Sequence, residues 1–241
     1  MSEGKRQSQQ DKQVIQSLVS DISHQVKTPI ANIKMFTGIL RGHDLPAEKR
    51  AEFLATMDGQ IDKLDFLMQS LIKMSRLETG IITLHPKEQD VKELLAEVTG
   101  AYREKAERKG LKLTDCSGPA TAWFDRKWTA EAVGNILDNA VKYTSRCGIE
   151  VRTRRYELFT AIEVEDTGPG IAEEDIPELF GRFRRGEETA EQEGVGIGLY
   201  LAREILAGEG GYIKVSSRRG QGSVFSIFLP NQGKGNLSEL S

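Results

Sequence analysis

From Val14 to Leu40 the apolar residues recur at helical spacing: Ile15, Leu18, Val19, Ile22, Val26, Ile30, Ile33, Phe36 and Leu40. Gly42, Asp44 and Pro46 then mark a short turn. A second helical series follows, Phe53, Met57, Ile61, Leu64, Met68 and Leu71, with Leu77 near its end. Two long amphipathic helices joined by a short loop predict an αα-hairpin. Its wide apolar stripe has nothing within one copy to bury it, so a second copy is expected to complete a dimeric four-helix bundle. Residues 1–12 are polar and read as a flexible lead or a frayed helix start.

The texture changes after a junction at Gly80–Pro86. Val91 to Lys109 reads as a helix that stops at Gly110, and Thr129 to Tyr143 as another. Leu111–Leu113 and Ala122–Phe124 read as short strands, Ile149–Arg155 and Phe159–Glu165 as a strand pair. A glycine-rich, charged stretch from Gly168 to Gly194 precedes a helix over Gly198–Ala207, and Tyr212–Ser216 and Ser223–Leu229 close as strands. This mixture predicts helices layered on a mainly antiparallel sheet. The expected organisation is a hairpin over 13–80, an α/β domain over 81–231 and a flexible tail over 232–241.

The chain has 241 residues, 38% hydrophobic and 29% charged, which suits two ordered domains and not a disordered chain. Its formal net charge of -3 provides no basic field for a nucleic-acid backbone. Arg152, Arg154 and Arg155 read as a solvated strand face. Two cysteines, Cys116 and Cys147, make neither a disulfide framework nor a metal motif, and three histidines make a multi-histidine metal site improbable. There is no apolar run of the roughly 20 residues that a membrane helix needs, and the polar start is no signal peptide. The chain is expected to be soluble and to make no membrane contact of its own.

The segment Asp21–Ile30 carries the first candidate chemistry. His24 lies two residues from both Ile22 and Val26, about 200° around a helix, so it faces away from the apolar stripe. That placement alone describes an ordinary surface histidine. Thr28 lies one turn on along the same face, Lys27 adds positive charge, and Pro29 removes a hydrogen bond inside the helix. An exposed imidazole is a competent nucleophile near neutral pH. Gln25 can orient the ring but cannot accept its proton.

A second constellation lies in the other half. Asn135 and Asn139 are four apart and share a helix face; amide oxygens are hard ligands suited to Mg2+ that already carries phosphates. Lys142 and Tyr143 follow within a turn, within reach of a phosphate and at the site edge. Asp166-Thr-Gly168-Pro-Gly170 follows an alternating strand, where a carboxylate can accept a hydrogen bond from an amino group and glycines let backbone come close. Phe180-Gly-Arg-Phe183 can tack a loop to a core and leave Arg185 free for phosphate charge. Gly194-Val-Gly196-Ile-Gly198-Leu199 leads into a helix, as a phosphate cradle does, and Gly222-Ser223 turns into the last strand. Each of these is also compatible with a plain turn or helix face; their order is what carries weight.

In that order the chain resembles bacterial two-component sensor histidine kinases over about residues 13–230. Ser23-His24-Gln25-Val26-Lys27-Thr28-Pro29-Ile30 is similar to their phosphoacceptor box, except that Gln25 stands where an acid is usual. The later boxes resemble their ATP-binding domain, with Gly181 where an acid is frequent. The resemblance implies an α/β sandwich of the Bergerat or GHKL type with ATP under a lid over about 171–194. It implies Mg2+ at Asn139 with Asn135 near, Asp166 on the adenine amino group, and Lys142 and Arg185 near the terminal phosphates. Tyr143, Gly168, Gly170, Ile171, Phe183, Gly194, Gly196, Gly198, Leu199 and Ser223 would complete the nucleotide site.

The implied activity is ATP-dependent autophosphorylation of His24, then transfer to an aspartate of a response-regulator receiver domain. Thr28 matches the position that places water for phosphatase action. The implied setting is the cytoplasmic portion of a membrane-anchored sensor. The same nucleotide boxes occur in ATPases that drive clamp closure, which lack the histidine hairpin. A nucleotide-binding module acting mainly as a phosphatase is the other alternative, and Gln25 keeps it open.

Overall fold

The computed structural model describes residues 3–184 and 196–233, with side chains from Gln16 onward except those of Ser17 and Leu18. It divides into a helical unit, up to Lys73, and a mixed unit that begins at Met74.

The helical unit consists of α1 (Glu3–Gly42) and the greater part of α2 (Ala47–Glu78). The connection is as short as the glycine and proline predict: α1 ends on Gly42 and α2 opens after Pro46. Near the turn the rings of Phe36 and Phe53 sit 5.1 Å apart. Pro29 lies inside α1, which runs on without a break. Val19, Ile30, Met35, Leu54, Ile61, Phe66, Met68 and Ile72 are exposed, so much of the apolar stripe remains open in one copy.

The mixed unit contains β1 (Lys87–Asp90), α3 (Val91–Arg108), β2 (Lys112–Asp115), β3 (Thr121–Phe124), α4 (Arg126–Tyr143), β4 (Gly148–Arg155), β5 (Phe159–Asp166), α5 (Gly198–Glu209), β6 (Tyr212–Ser217) and β7 (Ser223–Pro230), with a 3-10 turn over Glu173–Glu178. A five-stranded sheet runs in the order β2-β4-β5-β7-β6, antiparallel except at β2/β4, and β1 pairs separately with β3. Strand β1, KEQD, was not foreseen: its four polar residues carry no apolar alternation, and only pairing with β3 makes it extended. Helix α4 starts three residues before the expected Thr129, because Asp125 caps it by accepting from the N–H groups of Lys127 and Trp128.

One core joins the sheet to the helices. From β5 and β7 the alternate residues Ile162, Val164, Phe225, Ile227 and Leu229 point into it. Helix α4 adds Ala132, Val133, Ile136, Leu137, Ala140 and Val141. These six fill one side of α4 and leave Asn135, Asp138, Asn139 and Lys142 partly accessible on the other.

Among the described residues of this unit two carboxylates are buried, Asp166 and, at the far end of α5, Glu209. Glu209, at the end of α5, is 2% exposed. Its carboxylate accepts from the Thr129 hydroxyl at 2.9 Å and from the Asp125 N–H at 3.0 Å. Burial, the largest cause, pushes its pKa up to about 7; the neighbouring Asp125 carboxylate adds to the rise, while the two donors oppose it. A carboxyl whose folded pKa is raised contributes stability that is whole below its unfolded value of 4.5 and is lost as pH climbs through about 7. Unfolding free energy is therefore expected to fall between pH 5 and 8, by on the order of 2–3 kcal/mol from this group. Glu209→Gln should flatten that part of the profile in urea titrations; an unchanged slope would refute the assignment.

Candidate functional site

The described sequence-predicted residues of the mixed unit gather around the end of β5, where Gly168 meets Asp166 and Tyr143, and around the start of α5, where Gly198 meets Asn135. Asp166 is the last inward position of β5, in line with Thr160, Ile162 and Val164, and is 6% exposed. Its Oδ1 accepts from the Gly168 N–H at 2.8 Å, and the Ser223 N–H bonds it as well. Burial raises its pKa and outweighs these two donors, which lower it. The carboxyl is thus held by backbone and taken out of water, and it retains acceptor capacity for one more donor.

The loop after Asp166 and the turn before β7 are built as one piece. The Ile171 N–H donates to the Ser217 hydroxyl at 2.8 Å, the Ser217 hydroxyl donates to the Gly222 carbonyl at 2.8 Å, and the Gly220 N–H donates to the Pro169 carbonyl at 2.6 Å. Ser217 and Ser223 hydroxyls lie 3.0 Å apart. Gly170 has φ +71° and packs so closely that a Cβ there would overlap the Arg218 carbonyl; Gly222, at φ +85°, would likewise overlap the Asp166 carbonyl. A side chain at Gly168 would fill the space between Asp166 Oδ1 and the Tyr143 carbonyl. An open hollow of about 300 Å³ lies beside this junction, lined by Asp166, Ser217, Arg218, Gly222 and Ser223 among others.

Asn135 is the most informative residue of α4. Its Nδ2 is buried and has no hydrogen-bond partner among the described residues, and a Cβ on Gly198 would come 3.1 Å from its Oδ1. An unpaired buried amide donor costs about 1–3 kcal/mol, so a residue of this kind needs an acceptor from elsewhere. The glycine that opens α5 allows the two helices to meet at this amide. Asn139 is half-buried one turn on. Lys142 donates to the Tyr143 hydroxyl at 3.0 Å and lies 4.6 Å from its ring centre, so its ammonium is folded along Tyr143. Gly196 packs on the backbone of Phe183 and Arg184, and Phe183 itself has φ +58°. Ile171 and Leu199 pack at the edge of the core. Arg185 and Gly194, and with them residues 185–194 of the expected lid, lie outside the described residues.

Two supports carried no sequence signal. The Lys109 ammonium donates to the carbonyls of Val141 and Lys142, each at 2.8 Å, and closes the C-terminal end of α4. Arg182 donates to Glu78 and, at 2.9 Å, to the Tyr200 hydroxyl, which itself donates to Glu78 at 2.6 Å. The Arg182 guanidinium also lies 4.9 Å from the centre of the Tyr200 ring. This trio joins the last residue of α2 to the Phe180–Phe183 segment and to the first turn of α5. Ordinary charged helix positions give no hint of such partners.

In the helical unit His24 and Thr28 are exposed and Gln25 is half-buried. The Thr28 hydroxyl reaches back to the His24 carbonyl at 3.5 Å, and Ser23 bonds the Val19 carbonyl at 2.7 Å. Pro29 has no N–H, so the Gln25 carbonyl loses its helical donor. Among the described residues no cluster of three or more His, Cys, Asp or Glu could hold a metal ion.

Residues 15–80 match the His Kinase A (phospho-acceptor) domain, and residues 124–233 match the histidine kinase-, DNA gyrase B- and HSP90-like ATPase family. The chain is 32% identical over 223 residues to the sensor protein KdpD of Mycobacterium tuberculosis, covering 88% of this chain and 26% of that relative. It thus spans about a quarter of KdpD. Full-length ShkA, solved with AMPPNP, has a TM-score of 0.66 at 26% identity, covering 89% of this chain and 45% of ShkA. Histidine kinase ThkA, solved with the response regulator TrrA, shares the fold with a TM-score of 0.77 at 21% identity, covering 95% of this chain and 66% of ThkA.

The junction of the two loops has a direct test. Gly170→Ala meets both a positive φ and the Arg218 carbonyl, whereas Gly220→Ala meets a positive φ of 77° with no atom in the way. Gly220→Ala should cost about 1 kcal/mol and Gly170→Ala at least twice that. Equal losses in urea unfolding would mean that the loop moves aside freely.

Proposed function

We propose that this chain, which belongs to the sensor histidine kinases as their catalytic core, binds ATP in its mixed unit and phosphorylates its own His24. The observation that carries this reading is a buried, unpaired Asn135 amide meeting a glycine-opened helix, in a domain matching histidine-kinase ATPases, on a chain whose other domain matches the phosphoacceptor. The described residues suit the nucleotide: Asp166 offers an acceptor to the adenine amino group, and Gly168 and Gly198 leave space that a side chain would fill. The amide oxygens of Asn139 and Asn135 would hold Mg2+, which when bound would offset phosphate charge.

In this reading a ring nitrogen of His24 attacks the γ-phosphorus. A P–N bond forms, the bond to the bridging oxygen of ADP breaks, and the ring proton leaves. Lys142 swings from Tyr143 to the phosphates, and Arg185 joins it there. Gln25 orients the imidazole and leaves its proton to another acceptor. The phosphoryl group then passes to an aspartate of a receiver domain, a reading supported by the structure of ThkA, which shares this fold, with the response regulator TrrA. Thr28, one turn on from His24, would place the water that removes phosphate from that partner.

The exposed apolar residues of α1 and α2 favour a homodimer closed as a four-helix bundle. Whether ATP serves its own or the neighbouring His24 would follow from the hand of the Gly42–Pro46 connection. No helix among the described residues is long and apolar enough to cross a membrane. The setting that fits is the cytoplasmic part of an anchored sensor, with domains 13–80 and 81–231, a lid over 171–194 and a tail from 232.

His24→Gln should abolish acid-labile label from γ-labelled ATP and leave nucleotide binding intact; label persisting in that variant would sink the assignment. Gln25→Glu should hold or raise the autophosphorylation rate. A ten-fold loss, about 1.4 kcal/mol of barrier, would instead mean that the amide itself is required.

A further inference from the structure

Helices α4 and α5 pack together along a shared core, with one polar contact at each end of α5. At its start, Gly198 meets the Asn135 amide. At its end, the buried Glu209 carboxylate takes the Thr129 hydroxyl and the Asp125 N–H at the start of α4. The two helices therefore run antiparallel, and α5 is one continuous helix from the Gly198 contact to the Glu209 contact. Both helices bear the residues assigned above to phosphate and metal.

The second contact is held under opposing forces. The N-terminus of α4 and two donors favour a negative Glu209. Burial and the adjoining Asp125 carboxylate disfavour it. Asp125 is itself fixed: Oδ1 takes the Lys127 and Trp128 N–H groups and Oδ2 takes the backbone N–H of the exposed His85. The charged groups of the neighbouring elements are turned elsewhere. Arg126 pairs with Glu93 and Glu97, Lys127 lies over Trp128, Arg203 pairs with Glu204, and Lys214 lies over Tyr212 and Phe228. Ionised Glu209 is thus first of all a charge held out of water, with the fixed Asp125 carboxylate adding a smaller repulsion, and separating the end of α5 from α4 readmits water and relieves both.

We infer that Glu209 is a positioning residue for the nucleotide site: as a neutral carboxyl it keeps the end of α5 seated on α4, and its ionisation shifts α5, displaces Gly198 from Asn135 and weakens nucleotide binding. Its raised pKa places that change near pH 7 and not near 4.5. The inference rests on the ATP reading above.

The test is equilibrium binding of a fluorescent ADP with Mg2+ to the purified chain from pH 6 to pH 8. The wild type should lose affinity roughly five-fold or more over this range, within the usual span of coupling between sites. Glu209→Gln, which keeps the shape without the charge, should hold its low-pH affinity throughout; any titration of the nucleotide itself is common to both proteins and cancels. Thr129→Val removes a donor that favours the anion, so it should move the wild-type midpoint to higher pH. It also serves if Glu209→Gln fails to fold by circular dichroism. Parallel profiles for wild type and Glu209→Gln, or an unmoved midpoint in Thr129→Val, would overturn the inference while leaving the ATP reading intact. Absence of nucleotide binding in the wild type at every pH would overturn the ATP reading, and this inference with it.

Discussion

Helix α4 has to keep two amides half out of a core that would otherwise exclude them. Its position is therefore the constraint on which the nucleotide half depends. The exposed pairs that flank it, Lys105–Asp138 and Arg126 with Glu93 and Glu97, are worth at most about 1 kcal/mol each. Burial of Ile136, Leu137, Val133 and Val141 contributes about 1.5–3 kcal/mol per side chain and decides which face turns inward. Burial alone does not fix the helix along its axis. That is set by its ends, with Asp125 and Glu209 at the first turn and Lys109 on the last carbonyls.

The same division of labour governs Asp166. Period-two alternation along β5 puts Thr160, Ile162, Val164 and Asp166 on one side of the sheet, so the carboxylate is carried inward by the register that buries the apolar residues. Desolvating a carboxylate is unfavourable, and the Gly168 and Ser223 N–H groups only partly offset it. These donors sit where they do because the loop after β5 is tied to the turn before β7 through Ser217 and Pro169. Strand pairing between β5 and β7 brings Asp166 opposite Ser223. The residues that hold the carboxylate are thus placed by the sheet and not by the loop alone.

Much of this was legible because it is periodic or punctuated. The two hairpin helices, the sheet strands longer than four residues and the starts of α3 and α5 follow from apolar spacing and glycine. Strand β1 did not, since KEQD has no apolar face. The start of α4 was read three residues late because Arg126 and Lys127 hide an aspartate cap behind charge. In the site, the glycine boxes and the amides stood out by type and order. Lys109, Glu78, Arg182, Tyr200 and Glu209 did not, because their meaning comes from partners 18 to 122 residues away in the chain. A buried glutamate at a helix end has the same local appearance as a solvated one.

The helix around His24 obeys a different economy. Proline within a helix costs about 3 kcal/mol, and here the loss falls on a particular carbonyl, that of Gln25. Thr28 does not repair it, because its hydroxyl goes to the His24 carbonyl at a weak 3.5 Å. Pro29 is buried while His24 and Thr28 are exposed, so the ring is kept for packing and the weakened turn lies on the open side. That turn bears the imidazole and the one residue of the box whose chemistry departs from the acid usual there. A glutamate at position 25 would add a charge to the turn whose carbonyl lost its helical donor; the amide of Gln25 is neutral and carries N–H donors. The residue that offers the ring no proton acceptor thus places amide donors on the turn from which Pro29 removed one.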